Sequence, residues 1–385
     1  MKPKIPIQGF LLSRYAYPTT ASPLICAHRR YATTSSKLSA PSPPGQRWWL
    51  RLTLITVTAA GIGAYARWVQ DSSSGSTTLN PVRFTPYSLV SREPVSSTGS
   101  IFTLKPPKPD VSNLEVYEAA QQAGVWSVMF KQPQLQIGRD YTPLPPVPPD
   151  AGEECLRFFI RKDPFGEVSR YLHSLNIGAP IEVRGPRIEC EIPPETQTVL
   201  FIAGGTGIAP ALQAGHTLLR RTDQIHRPTI HILWATRQRE DCRGGYNEPT
   251  SATLSDARRP WLSRVFGSSR AAAAPPTETR TSSDMSPIVR EIEALKSQYP
   301  GQVSVEYFVD EENTFIGKRS ILDFTTSTVS SPELSKRNMI LVSGPEGFIS
   351  YMAGPKQWAE GMELQGPLQG IIRELHLQDW AVWKL

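Results

Sequence analysis

Thr198 to Leu219 reads TVLFIAGGTGIAPALQAGHTLL. The apolar run Val199 to Ala203 has the length and composition of a strand buried on both faces of a parallel sheet. Gly204, Gly205, Thr206 and Gly207 follow at once. Pro210 then sits where a helix would begin, a position that tolerates a missing N–H. Strand, glycine loop and helix start together make an anion site. Glycines let backbone amides approach a phosphate, and the helix N-terminus adds partial positive charge. The loop lacks the G-x-G-x-x-G spacing of the dinucleotide fingerprint, so taken alone it also suits an ordinary tight strand-to-helix turn.

Working outward, further motifs bracket this stretch. Upstream lie Arg139-Asp140-Tyr141-Thr142-Pro143 and Gly166-Glu167-Val168-Ser169. The second is followed by Arg170-Tyr171-Leu172, then by Gly178 and Val183-Arg184-Gly185-Pro186. Downstream lies Ser343-Gly344-Pro345-Glu346-Gly347-Phe348. With these motifs in this order, the chain from about Arg83 to Leu385 resembles the ferredoxin–NADP reductase superfamily, and in particular its NADH–cytochrome b5 reductase branch. Phe84 to Leu104 and Leu341 to Lys356 resemble, within it, a fungal group of mitochondrial cytochrome c import factors.

The resemblance implies an antiparallel FAD-binding barrel followed by a parallel-sheet domain that binds NADH or NADPH. It implies that Arg139 pairs with the flavin pyrophosphate, for which a guanidinium fork is well shaped. Tyr141 would pack on the isoalloxazine ring and Thr142 would bond near its reactive nitrogen. Ser169 and the amides of Gly166, Glu167 and Val168 would complete the pyrophosphate cradle. Gly204, Gly205, Thr206 and Gly207 would take the nicotinamide dinucleotide's pyrophosphate. Ser343, Gly344, Pro345, Glu346 and Gly347 would close around the nicotinamide end. Ser343 stands where these reductases usually carry cysteine, which puts nicotinamide orientation, and hence turnover, in question. Hydride transfer from nicotinamide to flavin needs ring alignment and a dry site and no protein acid or base, so no catalytic side chain is assigned. Coenzyme choice stays open. Thr236 to Asp241, TRQRED, offers both arginines for a 2′-phosphate and acids for a ribose hydroxyl.

The 385 residues suit two domains, and the net charge of +6 is unevenly placed. No acidic residue precedes Asp71, whereas Lys2, Lys4, Arg14, Arg29, Arg30, Lys37, Arg47, Arg51 and Arg67 do. A basic, Ser/Thr-rich, acid-free start reads as a mitochondrial transit peptide rather than a nucleic-acid arm. Trp48 to Val69 has an uncharged centre, Leu52 to Ala66, with tryptophans and arginines at its edges. A span near ~20 residues with such flanks fits one transmembrane helix. Arg47 and Arg51 before the span and Asp71 after it place the following domain in the intermembrane space. The cysteines, Cys26, Cys155, Cys190 and Cys242, show no C-x-x-C spacing, so no metal site and no covalent haem is expected.

The expected organisation is therefore a transit peptide and disordered segment (1–46), a transmembrane helix (47–69) and a linker (70–82). An FAD-binding barrel (83–194) and an NAD(P)-binding domain (195–385) follow. Within the latter, 238–286 is polar, proline-containing and aperiodic, and reads as a disordered insert. Barrel strands are expected at Tyr87–Ser91, Ser100–Leu104, Trp126–Lys131, Cys155–Arg161 and Ile181–Arg184, with a helix at Phe165–Leu175. Strands at Val199–Ala203, Thr229–Ala235, Val303–Phe308 and Asn338–Ser343 alternate with helices at Pro210–Arg221, Pro287–Gln298 and Gly347–Ala359. Trp380 and Trp383 suit either an aromatic cover on the flavin or a buried edge strand.

Three functions fit. One is an inner-membrane flavoenzyme passing electrons to haem, apocytochrome c or its assembly factors. Another is a mitochondrial NADH–cytochrome b5 reductase. The third is a flavin-bearing assembly scaffold of low turnover. Arg83, Arg92, Lys105 and Lys108 would meet haem propionates in the first, or form a solvated surface.

Overall fold

The computed structural model describes residues 61, 63, 77–146, 154–221, 227–247, 284–328, 338–359 and 361–385. The transit peptide (1–46) lies outside them, as do the transmembrane helix (47–69, Gly61 and Gly63 excepted) and most of the insert (248–283). Among the described residues no helix is long and apolar enough to cross a membrane.

Alternating apolar side chains build the first layer. Strands β1 (Thr85–Pro94), β2 (Gly99–Lys105), β3 (Gly124–Gln132), β4 (Ile137–Tyr141), β5 (Leu156–Arg161) and β6 (Pro180–Glu191) form one sheet in the order β4-β3-β6-β1-β2-β5. Every pairing is antiparallel. The two edges meet through a bridge between Pro143 and Phe158, which curls the sheet into a barrel. Tyr87, Phe102, Trp126, Phe130 and Phe158 fill its interior. Helix α1 (Ser112–Ala123) packs on it, and its buried stripe is only Asn113, Tyr117 and Ala120. Helix α2 (Glu167–Ser174) follows β5.

Strands β7 (Thr198–Gly204), β8 (Thr229–Thr236), β9 (Val303–Val309), β10 (Asn338–Ser343) and β13 (Trp380–Lys384) form the second sheet, ordered β13-β10-β7-β8-β9 and parallel throughout. Side chains of β7 alternate between two cores: Val199, Phe201 and Ala203 enter one, Leu200 and Ile202 the other. Helices therefore cover both faces, as a parallel sheet requires. On one side lie α3 (Ile208–Leu219) and α4 (Pro287–Gln298). On the other lie α5 (Lys318–Thr328), α6 (Glu346–Ala353) and α7 (Gly370–Glu374). Helix α4 starts where Ser286 Oγ accepts the Val289 N–H at 3.3 Å, with Pro287 in the first turn. Barrel and sheet belong to one compact unit, Ser73–Leu385.

Several expectations need correction. Helix α3 begins at Ile208, so Pro210 is its third residue; the missing N–H still falls in the first turn, where no intrahelical acceptor exists. Helix α6 stops at Ala353, because Gly354 takes a positive φ of 88°, and a short hairpin, β11 (Gln357–Ala359) and β12 (Met362–Leu364), replaces its last turns. Residues 77–80 of the expected linker are tied to the barrel: Leu79 is buried, its N–H donates to Asn113 Oδ1 at 2.7 Å, and the Asn80 carbonyl accepts the Gly185 N–H at 3.0 Å. Residues 238–247 of the expected insert are also ordered. They include a 3-10 turn, Arg239–Cys242, with Asp241 and Cys242 buried.

Candidate active site

Strand β4 carries the first flavin motif. It pairs with β3 in the register Phe130↔Arg139 and Val128↔Tyr141. Two-residue periodicity puts Arg139 and Tyr141 on one face and Asp140 on the other. The Tyr141 ring meets Phe130 edge-on, centroids 5.1 Å apart. Burial pushes the Tyr141 hydroxyl pKa well up, with Arg139 pulling the other way and Asp163 adding to the rise. The Arg139 guanidinium is exposed and donates to the Gly138 carbonyl at 2.9 Å. On the opposite face, Asp140 meets Arg187 at 3.2 Å. Asp140 stays exposed at its surface, but partial desolvation by the surrounding protein raises its carboxyl pKa, and Arg187 partly opposes it.

The second flavin motif opens α2, with Gly166 as its N-cap. Ser169 is buried, and its hydroxyl accepts the Asp163 N–H at 3.1 Å and donates to the Gly166 carbonyl at 3.2 Å. The Gly166 N–H goes to the Asp163 carbonyl. These bonds brace the turn that opens the helix. Val168 points its side chain into the barrel core. What the helix start presents is the first-turn amides of Glu167 and Val168, which have no intrahelical acceptor.

The glycine loop forms a 3-10 turn, Gly205–Gly207, between β7 and α3. Gly205 has φ 57°, and its carbonyl accepts the Trp234 indole N–H at 2.9 Å. Parallel pairing of β7 with β10 sets Ala203 opposite Ser343, so both strands end at one height. The two loops then touch through backbone. A Cβ on Gly207 would lie 2.4 Å from the Ser343 carbonyl oxygen, and one on Gly344 3.0 Å from the Gly204 Cα. Pro345 is the N-cap of α6, and Pro345, Glu346 and Gly347 are exposed.

A cleft of about 260 Å³ collects Tyr141 and Thr142 from the barrel, Thr206 and Gly207 from the glycine loop, and Ser343 and Gly344 from the end of β10. Arg139, Gly166 to Ser169, Gly204, Gly205 and Pro345 to Gly347 are not in its wall. Polar residues that the sequence did not single out complete it. Ser127 donates to Glu189 at 2.6 Å, Arg187 lies between Asp140 and Glu189, and Lys356 pairs with Glu363 at 3.3 Å. The only sequence signal for them is the alternation of Arg187 and Glu189 along β6. Trp383 and Trp380 do not cover the cleft. Trp383 donates to the Glu189 carbonyl at 3.0 Å, Trp380 is buried near Phe324, and Leu385 takes the wall position. Arg92, considered for haem propionates, donates to the carbonyls of His173 and Leu175.

The donor set fits FAD and a nicotinamide dinucleotide. An aromatic face and a hydroxyl stand at Tyr141 and Thr142, exposed cationic and amide donors stand at Arg139 and the α2 start, and side-chain-free backbone stands opposite. Residues weighed for coenzyme choice are largely committed elsewhere. Arg239 forms an ion pair with Glu312, Glu240 bonds Ser97, and Asp241 bonds Ser96 at 2.6 Å and pairs with Arg161. Asp241 thus ties β8 to the barrel.

Residues 86–192 match the family model of the oxidoreductase FAD-binding domain. An uncharacterised FAD-binding protein of Schizosaccharomyces pombe is 33% identical over 43% of this chain and 59% of its own length. The cytochrome c mitochondrial import factor CYC2 of Saccharomyces cerevisiae is 23% identical over 80% of this chain and 84% of its own. NADH-cytochrome b5 reductase 1 of Emericella nidulans is 30% identical over 42% of this chain and 51% of its own. The chain thus spans 59% and 51% of the two more identical relatives. The barrel, residues 86–192, is thus similar to the oxidoreductase FAD-binding domain, and its flavin motif faces the glycine loop across one cleft.

Proposed function

We propose that this protein is an FAD-dependent NAD(P)H oxidoreductase that passes electrons to haem or a haem protein during cytochrome c assembly. The observation that carries the reading is the meeting of Tyr141 and Thr142 with Thr206, Gly207, Ser343 and Gly344 in one cleft. Bound FAD supplies acceptance of a hydride and release of single electrons. The chain's own residues do the binding and alignment. Arg139 and the first-turn amides of Glu167 and Val168 hold phosphate charge at the barrel. Tyr141, steadied by Phe130, gives the ring a flat wall, and Thr142 offers a hydroxyl beside it. The glycines at 204, 205 and 207 admit a second pyrophosphate, and Ser343 contributes a small polar side chain at the nicotinamide end.

The acceptor and the compartment rest on the relatives and on the amino-terminal sequence. The yeast relative's name ties it to cytochrome c and mitochondria. The acid-free basic start and the arginine-flanked apolar segment support anchoring in the mitochondrial inner membrane, with the bulk facing the intermembrane space. The names of the relatives called NADH-cytochrome b5 reductase support a second reading, with cytochrome b5 as acceptor. The test is to give the purified full-length protein limiting NADH or NADPH anaerobically, with ferric haem, haem-loaded apocytochrome c or cytochrome b5, and follow the ferrous bands. Reduction of the first two is expected. Reduction of cytochrome b5 alone would favour the second reading. A flavin that accepts hydride and reduces none of them would favour the scaffold.

A further inference from the structure

Helix α3 starts at the glycine loop and is buried along nearly its whole length. Among its apolar residues stands Gln213, 4% exposed. Its side chain leaves the nucleotide-side sheet and reaches the barrel at two points. Oε1 accepts the Trp126 N–H at 2.9 Å, and Nε2 donates to the Pro143 carbonyl at 2.8 Å.

Both targets are places where the barrel's own ladder is interrupted. The β3–β6 register shifts between Val125 and Trp126, a bulge at which one residue has no partner across the ladder. Pro143 lies just beyond the end of β4, where the sheet is held to β5 by a bridge outside the named strands. One amide thus satisfies a donor on β3 and an acceptor one residue past Thr142.

The geometry of the cleft makes this more than packing. Ala209 and Pro210 line it, and Gln213 lies four and three residues further along, on the same helix face. Val125 and Ser127, which flank Trp126, line it too, as do Tyr141 and Thr142. Gln213 is not itself in the cleft wall, but each of its bonds ends beside a wall residue.

We infer that Gln213 is a positioning residue that sets the gap between the flavin motif and the nicotinamide loop. The inference rests on the oxidoreductase reading above. Gln213 touches neither cofactor's expected contacts directly. Its loss leaves the binding groups in place while the two walls lose their common reference. Transfer between bound rings is sensitive to such shifts, because a displacement near 1 Å costs on the order of a hundredfold.

Thr217, one turn further along α3, provides the control. Its hydroxyl also bonds barrel backbone, the Gln121 carbonyl at 2.7 Å, but no neighbour of Gln121 lines the cleft, and it reaches the Gly124 carbonyl only at 3.5 Å. The experiment compares full-length wild type, Gln213→Leu, Gln213→Asn and Thr217→Val. For each it measures FAD content, the coenzyme dissociation constant, the flavin absorption band shape and the limiting rate of flavin bleaching by saturating NADH or NADPH. Asparagine keeps both amide groups but is a methylene too short to span both partners, so it serves if the leucine variant does not fold. The expected result is FAD content and coenzyme affinity within about twofold of wild type in both Gln213 variants, an altered band shape, and a limiting rate lower by ten- to a hundredfold. Thr217→Val should keep the wild-type rate. Unchanged limiting rates in the Gln213 variants, or an equal fall in Thr217→Val, would overturn the inference while the oxidoreductase reading stands. A wild type that binds FAD yet is never bleached would overturn that reading and this inference with it.

Discussion

Replacing Gly207 with alanine probes the contact on which the site depends. Gly207 has φ −59° and ψ −7°, angles that alanine adopts without strain, so only the added methyl matters. That methyl would lie 2.4 Å from the Ser343 carbonyl oxygen and 2.7 Å from its carbon. Ordinary contact begins at 3.4 Å, so the loops must part by 3.4 minus 2.4, or about 1 Å. Both opposing atoms are backbone, and no rotamer change relieves them. Forcing a group into such packing costs about 1–3 kcal/mol. For a unit of the size of Ser73–Leu385 that lowers the melting temperature by about 1.5 °C per kcal/mol. Moving Ser343 and Gly344 by about 1 Å should also slow hydride transfer on the order of a hundredfold. FAD content should not change, because the barrel motifs are untouched. Gly205→Ala is the comparison: it has φ 57° and open space around its Cβ, so its cost is backbone strain of about 1–2 kcal/mol, with no displacement of Ser343. Stopped-flow bleaching and thermal melts of both variants decide it. A Gly207→Ala protein with wild-type rate and melting temperature would refute the loop contact.

Other outcomes follow from the same geometry. Arg139→Ala removes a charge-assisted contact worth ~1.5–3 kcal/mol, so FAD occupancy measured by absorbance should fall severalfold or more. Asp241→Asn leaves Arg161 opposite a neutral group at a buried position; removing one partner of such a pair costs about 3 kcal/mol, readable by denaturant titration. His216 is pushed down to about 4 by burial and by Arg220, from an ordinary 6.5. The unfolded chain then binds the proton first, so this contribution to stability is intact above pH 6.5 and is lost as pH falls towards 4. The slope is at most about 1.4 kcal/mol per pH unit, and His216→Gln should flatten it.

Strands whose residues alternate or are uniformly apolar were legible from sequence. β10 matches its expected bounds, Asn338–Ser343, and β7 extends one residue beyond each end of Val199–Ala203. Helix α4 was equally plain, because Ser286 and Pro287 mark its start. Helix α1 was not, since its buried stripe of Asn113, Tyr117 and Ala120 carries little apolar signal. β4 was hidden because neither Arg139 nor Asp140 is buried, so the strand shows no hydrophobic alternation. In the site, sequence motifs located Tyr141, Thr142, Thr206, Gly207, Ser343 and Gly344, which the fold brings into one cleft. The bonds of Ser169 to Asp163 and Gly166 were not legible, because they are local turn geometry that spacing does not reveal. The stretch from Gln238 read as insert because its charges look solvated. In the fold, Asp241 and Glu240 spend theirs on Arg161, Ser96 and Ser97 of the barrel.

The most direct test of the account is the visible spectrum of the purified full-length protein, recorded anaerobically before and after NADH or NADPH is added. The structure predicts an oxidised flavin band that bleaches with at least one coenzyme, at a rate that saturates with its concentration. Protein that carries no flavin, or a flavin that stays oxidised with both coenzymes, would contradict it.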